Sequence, residues 1–210
     1  MNGTNYPSSV ARPLSDVRDR ILEQAIALYE GEGLSALRVH DVANEAGASV
    51  ATLYKYFDSR DGLIDAVLVE LFRRMTGRSR EIYTARRDAM LASPDIQDFI
   101  RDAIVLSQTR EMTELRLARL RLLGEAVARK SAFEAISAIH HDDRQHDAEL
   151  FANLQKSGRI SGDVDALALS YLVSGIVFSQ IAFEYGSPAD KVRSPFTDMA
   201  VQAMTGVLRP

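Results

Sequence analysis

Residues 39–63 read VHDVANEAGASVATLYKYFDSRDGL, and this stretch decides the fold. Residues 39–45 predict a helix of about two turns, Ala46-Gly47-Ala48-Ser49 a tight turn, and 50–56 a second short helix. Val42-Ala43, Gly47 and Leu53 stand at helix-turn-helix spacing. Each has a physical task. Ala43 is small, so the second helix can approach closely. Gly47 can take the left-handed conformation that ends one helix and redirects the chain. Ser49 offers an N-cap hydroxyl. Val42 and Leu53 pack the two helices together. The second helix then faces outward, its N-terminus free to enter a DNA major groove.

Working outward, Asp58 or Ser59 can cap a longer helix with the apolar stripe Leu63, Ile64, Val67, Leu68, Leu71, Phe72 and Met75. Upstream, Ser15 can cap a first helix with Asp16 and Asp19 near its positive end. Val17, Ile21, Ala25, Leu28 and Tyr29 form its stripe, and Gly31 and Gly33 end it. Residues 1–14 are expected to be a flexible tail. Beyond residue 78, helices are expected at 79–91, 95–107, 111–129, 131–157, 163–185 and 195–208. Ser93-Pro94, Ser157-Gly158, Gly186-Ser187-Pro188 and Ser194-Pro195 mark the joints, with Ser194 as N-cap and Pro195 at the first helical position. No alternating β pattern or internal repeat competes with this all-α reading.

Of the 210 residues 46% are apolar and 26% charged, which excludes a largely disordered chain. With no cysteine, disulfide frameworks, thiolate metal sites and cysteine nucleophiles are excluded. Residues 1–16 are polar with two prolines and do not resemble a signal peptide, so a cytoplasmic location is expected. Net charge is −4, and residues 1–60 hold 6 basic and 8 acidic groups. Bulk charge therefore does not point to nucleic acid, and placement must. Arg38, Lys55 and Arg60 are half of those basic groups and cluster around the helix-turn-helix, while Asp16, Asp19, Glu23, Glu30 and Glu32 lie on or just beyond the first helix.

The flanks add a family resemblance. The pattern A-x-x-L-Y-E-x-x-G-L from Ala25, followed by residues 39–63, resembles the TetR family of transcriptional regulators over residues 17–72, most specifically in LYKYFDSRDGL at 53–63. The resemblance implies an N-terminal three-helix DNA-binding domain (15–60) and a helical effector-binding and dimerisation domain (61–210). It implies a homodimeric repressor, released from a pseudo-palindromic double-stranded DNA operator by a small, mostly apolar effector. By motif position, Ser49, Val50, Ala51 and Thr52 open the recognition helix. Tyr54, Lys55 and Tyr56 hold phosphates, Arg60 is a further phosphate clamp, and Arg38 and His40 touch the backbone. Three positions depart from the common pattern. Arg38-Val39 replaces a frequent threonine pair, Ala51 a frequent glycine, and Arg60 a frequent lysine. Because Arg38 and Ala51 belong to the expected DNA face, an operator sequence cannot be borrowed from a relative.

Residues 166–183 contain no charge over 18 positions. That length nominates a membrane span. The interspersed Ser170, Ser174, Ser179 and Gln180, the acidic flanks and the lack of a basic anchor argue against one. A helix apolar all round needs burial all round, so a second copy is expected to cover it. Ser170, Ser174, Ile176 and Phe178, with Met199 and Ala203 of the last helix, are the expected interface. Phe72, Met75, Ile82, Tyr83, Leu106, Leu117, Leu120 and Phe178 are candidate effector-pocket residues.

His140, His141, Asp142, Asp143 and His146 are the one metal-like cluster, but adjacent histidines on a helix point about 100° apart. A solvated face is expected there, with no metal and no cofactor. Arg110, Arg116, Arg119, Arg121 and Arg129, among Glu111, Glu114 and Glu125, are expected to be ion-paired surface. No hydrolase elbow, phosphate-cradling loop or H-E-x-x-H motif occurs, so no enzyme is expected. The alternatives to a regulator are an all-helical metal enzyme using the His140/His146 region and a helical adaptor that does not bind DNA.

Overall fold

The computed structural model describes residues 17–184 and 189–209. The expected tail at 1–14, the Ser15 cap with Asp16, and the Gly186-Ser187-Pro188 joint lie outside them. Among the described residues all regular structure is helical. The chain forms two compact units, Met1–Arg74 with Leu122–Ile136, and Met75–Arg121 with Ser137–Pro210. The changeover thus falls beyond the 60/61 boundary expected from the sequence. Leu63, Ile64, Val67 and Leu68 are fully or almost fully buried and belong to the first unit.

In that unit α1 (Val17–Glu32) leads through a 3-10 turn at Leu34–Ala36 to α2 (Val39–Glu45) and α3 (Val50–Phe57). α1 buries Ile21, Leu22, Ala25, Ile26 and Tyr29 and packs on α2 and α3. It runs through Gly31 and stops at Gly33, whose N–H reaches the Tyr29 carbonyl at 2.8 Å. α4 (Arg60–Leu91) is one helix of 32 residues. The break expected between Met75 and residue 79 does not occur. No proline falls between residues 60 and 91, and Gly77 alone costs a helix only about 1 kcal/mol. Ion pairs tie the unit together: Arg74 bonds Glu70 and Glu23, and Arg129 bonds Asp61 and Asp65. Tyr29 donates to Glu125 at 2.6 Å.

The second unit holds the rest of α4, then α5 (Ile96–Ser107), most of α6 (Arg110–Ala126) and α7 (Lys130–Lys156), α8 (Ala166–Ser179), α9 (Ile181–Glu184) and α10 (Ala189–Leu208). Asp95 caps α5 by accepting the Gln97 N–H, and Asp165 caps α8 by accepting that of Ala168. Phe99, Ile100, Phe151, Leu169, Val201 and Met204 are in its core.

The uncharged stretch is two helices rather than one. They part at Gln180, which is wholly buried and donates to Ser107 Oγ at 2.8 Å. By length and composition alone 166–184 could cross a membrane, and 17% of its apolar window is buried within the chain. Pro195 sits inside α10, not at its start. Residues ahead of it already form the first turns, and its missing N–H forfeits one bond, to the Lys191 carbonyl.

The arginine-rich stretch divides by burial. Arg110 pairs with Glu114 at 2.8 Å on the surface, as expected. Arg116 does not: it is 1% exposed, bonds the equally buried Glu184 side chain and donates to the Ser107 carbonyl at 3.1 Å. The expected solvated face around residue 143 is also corrected. Asp143 and Arg144 are buried, and Asp143 takes hydrogen bonds from both Arg80 and Arg144. These bonds hold its carboxyl below the ordinary range although burial opposes them.

Candidate nucleic-acid interface and effector cavity

The α2–α3 turn is built from its own backbone. Gly47 adopts φ +60°, and the Ala48 N–H reaches the Ala43 carbonyl at 2.9 Å. Ser49 Oγ accepts the Thr52 N–H at 3.0 Å, the N-cap expected from the sequence. It also lies 2.8 Å from Thr52 Oγ1, so the Thr52 hydroxyl is shared with the cap and keeps part of its capacity for an outside partner. Leu53 and Phe57 are buried on the inner face of α3, and Val42 and Ala43 are buried on α2.

The outer face stays open. Ala51, Tyr54 and Lys55 are exposed, and Val50, Thr52 and Tyr56 are half-buried. Lys55 Nζ lies 5.9 Å from the Tyr56 ring centroid. This contact orients the ammonium without neutralising it. Arg38 is the N-cap residue of α2, makes no capping bond and is exposed, as is His40.

Arg60, expected as a phosphate clamp, is exposed and also makes bonds within the chain. Its Nε donates to the Leu37 carbonyl at 2.8 Å and its Nη2 to the Leu34 carbonyl at 3.3 Å. The guanidinium ties the start of α4 to the segment preceding α2. Ser59 Oγ caps α4 by accepting the Gly62 N–H at 3.0 Å, and Asp58 closes α3 at φ +60°. Gly62 is also a close-approach position, because a Cβ there would stand 2.1 Å from the Phe57 carbonyl oxygen. That requirement underlies the D-S-R-D-G turn and was not read from the sequence.

The second unit encloses a cavity of about 280 Å³, near the lower end of ligand sites at about 300–1,000 Å³. α4 contributes Ser79, Arg80, Tyr83 and Met90; α5 Phe99, Ile100 and Ile104; α6 Met112 and Arg119; α7 Asp143, Asp147, Leu150 and Phe151; α8 Val173, Ile176 and Val177; α10 Met204 and Leu208. Of the eight pocket residues expected from the sequence, this wall includes Tyr83. Ile82 and Leu106 belong to the surrounding core, Phe72 and Met75 are buried elsewhere, Leu117 and Leu120 are half-buried away from the lining, and Phe178 is exposed.

The expected interface residues separate similarly. Ser174 and Ile176 line the cavity, and Ser170 is fully buried with its hydroxyl on the Leu167 carbonyl. Phe178, Met199 and Ala203 remain exposed, joined by Tyr171, Leu172, Val192 and Val207. Among the described residues no three groups could share a metal ion. His141 Nδ1 instead meets the Tyr171 hydroxyl at 2.8 Å, and His140 packs edge-on to the same ring.

Comparison with known proteins agrees with this geometry. Residues 21–67 match the family model of bacterial regulatory proteins, tetR family. The HTH-type transcriptional repressor KstR2 of Rhodococcus jostii is 33% identical over 86 residues, 41% of this chain and 42% of that protein. KstR of the same organism is 32% identical over 128 residues, 60% of this chain and 53% of that protein. The chain thus matches about half the length of these relatives. Among solved structures, a TetR-family transcriptional regulator from Cytophaga hutchinsonii aligns with TM-score 0.63 at 11% identity, covering 95% of this chain and 98% of that one. Salmonella enterica GusR aligns with TM-score 0.58 at 19% identity, covering 95% and 98%. These two likenesses show the fold over 95% of this chain. The chain carries the helix-turn-helix domain of the TetR family of bacterial regulatory proteins.

Proposed function

We propose that the protein is a ligand-responsive DNA-binding transcriptional regulator, acting in the cytoplasm as a homodimeric repressor. One observation carries the reading: α3 is capped by Ser49, buried on one face, and open on the other with Ala51, Tyr54 and Lys55. That is the arrangement a recognition helix needs to enter a major groove. Thr52 and the methyls of Val50 and Ala51 meet base edges, while Tyr54, Lys55, Tyr56 and Arg38 hold phosphates and fix register. Arg60 positions the start of α4 through two of its five N–H donors, on the Leu37 and Leu34 carbonyls, and the exposed remainder of the guanidinium is left for a phosphate. The exposed apolar residues of α8 and α10 favour pairing with a second copy, which supplies two recognition helices for a pseudo-palindromic operator. The cavity supports an effector site. α4 lends Tyr83 and Met90 to its wall and Arg60 to the helix-turn-helix, so a ligand that moves this helix acts on both. Among the described residues no three His, Asp or Glu groups could hold a metal ion, so nothing there favours the metal-enzyme alternative.

Fluorescence anisotropy with DNA from upstream of the protein's own gene tests this reading. Binding should weaken steeply as salt rises, because phosphate contacts release counterions. Binding of equal strength at low and high salt, or none at either, contradicts it.

A further inference from the structure

The polar groups of the cavity wall are unequally partnered. Asp143 is held by Arg80 and Arg144, and Arg144 also reaches Asp147 at 3.0 Å. These charges pair with one another, although Arg144 Nε is buried without a hydrogen-bond partner. Arg119, on α6, has no hydrogen bond or ion pair among the described residues, and Asp143 acts on it only at longer range. Burial pulls its guanidinium below the ordinary arginine range, and the half-buried side chain lines the cavity without a close counterion. The Tyr83 hydroxyl also lacks a partner among the described residues. Burial pushes it up to about 12, so it stays a neutral O–H donor. One helical turn earlier, on the same face of α4, Ser79 Oγ is buried without a partner. Much of the rest of the wall is apolar, with Met90, Phe99, Ile100, Ile104, Phe151 and Val177, while His146, Asp147, Glu149 and Asn153 of α7 add a polar side.

We infer that the cavity binds an amphipathic carboxylate, its anionic head taken by the Arg119 guanidinium and the Tyr83 hydroxyl and its hydrophobic body packed on the apolar wall. A guanidinium presents a planar fork that matches a carboxylate, and a charge-assisted bond of this kind is strongest where water is excluded. The anion supplies the counterion that the fold withholds. A neutral molecule of the same shape leaves the guanidinium unpaired. This deepens the effector reading by naming the effector's chemistry.

Calorimetry on the full chain without DNA tests it, so its outcome is independent of DNA binding. Two matched pairs serve as probes, each below its aggregation concentration: decanoate against 1-decanol, and naphthylacetate against naphthylethanol. At least one acid should bind about tenfold or more tighter than its neutral partner. Arg119→Met should abolish that advantage while keeping the neutral partner's affinity, and should not lower the melting temperature of the ligand-free protein. Tyr83→Phe should reduce the advantage without abolishing it, and it decides the matter if Arg119→Met does not fold. The inference is overturned if neutral partners bind as tightly as the acids, if Arg119→Met or Tyr83→Phe leaves the preference intact, or if no probe binds.

Discussion

Lys55 and Arg60 show how one residue type divides its work. Both are basic, lie five residues apart and flank the α3–α4 turn. The Lys55 ammonium is exposed beside the Tyr56 ring, whereas the Arg60 guanidinium gives two of its five N–H donors to backbone carbonyls. Lys55→Ala should therefore weaken all DNA sequences alike and flatten the salt slope by about 1 per subunit or less, with no change in melting temperature. Unchanged affinity at moderate salt would remove Lys55 from the interface. Arg116 makes the opposite case. It is buried against Glu184, so Arg116→Met strands a carboxylate in the second unit. A loss of about 3–5 kcal/mol in thermal or urea unfolding is expected. The sequence placed Arg116 and Arg119 on the surface because neighbouring glutamates at helical spacing suggest local pairs. Their true surroundings come from α9 and from the cavity wall, which no local pattern announces.

Local signals served best where elements are short and bounded. The α2 limits, the Gly47 turn and the Ser49 and Ser59 caps follow from backbone requirements that single residues satisfy. They served least inside long helices. The helix bounds read from the sequence leave a break between Met75 and residue 79 where α4 is continuous, and Ser194-Pro195 reads as a helix start but lies within α10. The two glycines of α4 give a paired test. A Cβ at position 62 meets the Phe57 carbonyl at 2.1 Å, while one at position 77 meets nothing within 4 Å. Gly62→Ala should destabilise by about 1–3 kcal/mol, and Gly77→Ala should stabilise by about 0.5–1 kcal/mol. Thermal melts of both variants should move in opposite directions. A Gly62→Ala melt equal to that of Gly77→Ala would show that the α3–α4 turn has slack.

For the molecule as a whole, the sequence located the helix-turn-helix and the uncharged stretch but not the cavity. Lining residues are chosen by packing among six helices, so apolar spacing on one helix could not separate Tyr83 from Ile82. The exposed apolar surface on α8 and α10 has its own test. The protein should sediment as a dimer at micromolar concentration. Phe178→Asp combined with Met199→Asp should give a monomer of unchanged helical content, since both side chains are already exposed. A wild-type monomer would refute the pairing. The central claim is that α3 reads DNA, and selection from a random double-stranded DNA library measures it most directly. The wild type should enrich a pseudo-palindrome whose half-sites lie one helical turn, about 34–36 Å, or a multiple of that apart, and the Tyr54→Ala/Lys55→Ala variant should enrich nothing. A wild type that enriches no sequence, or a variant that enriches the same one equally well, would contradict it.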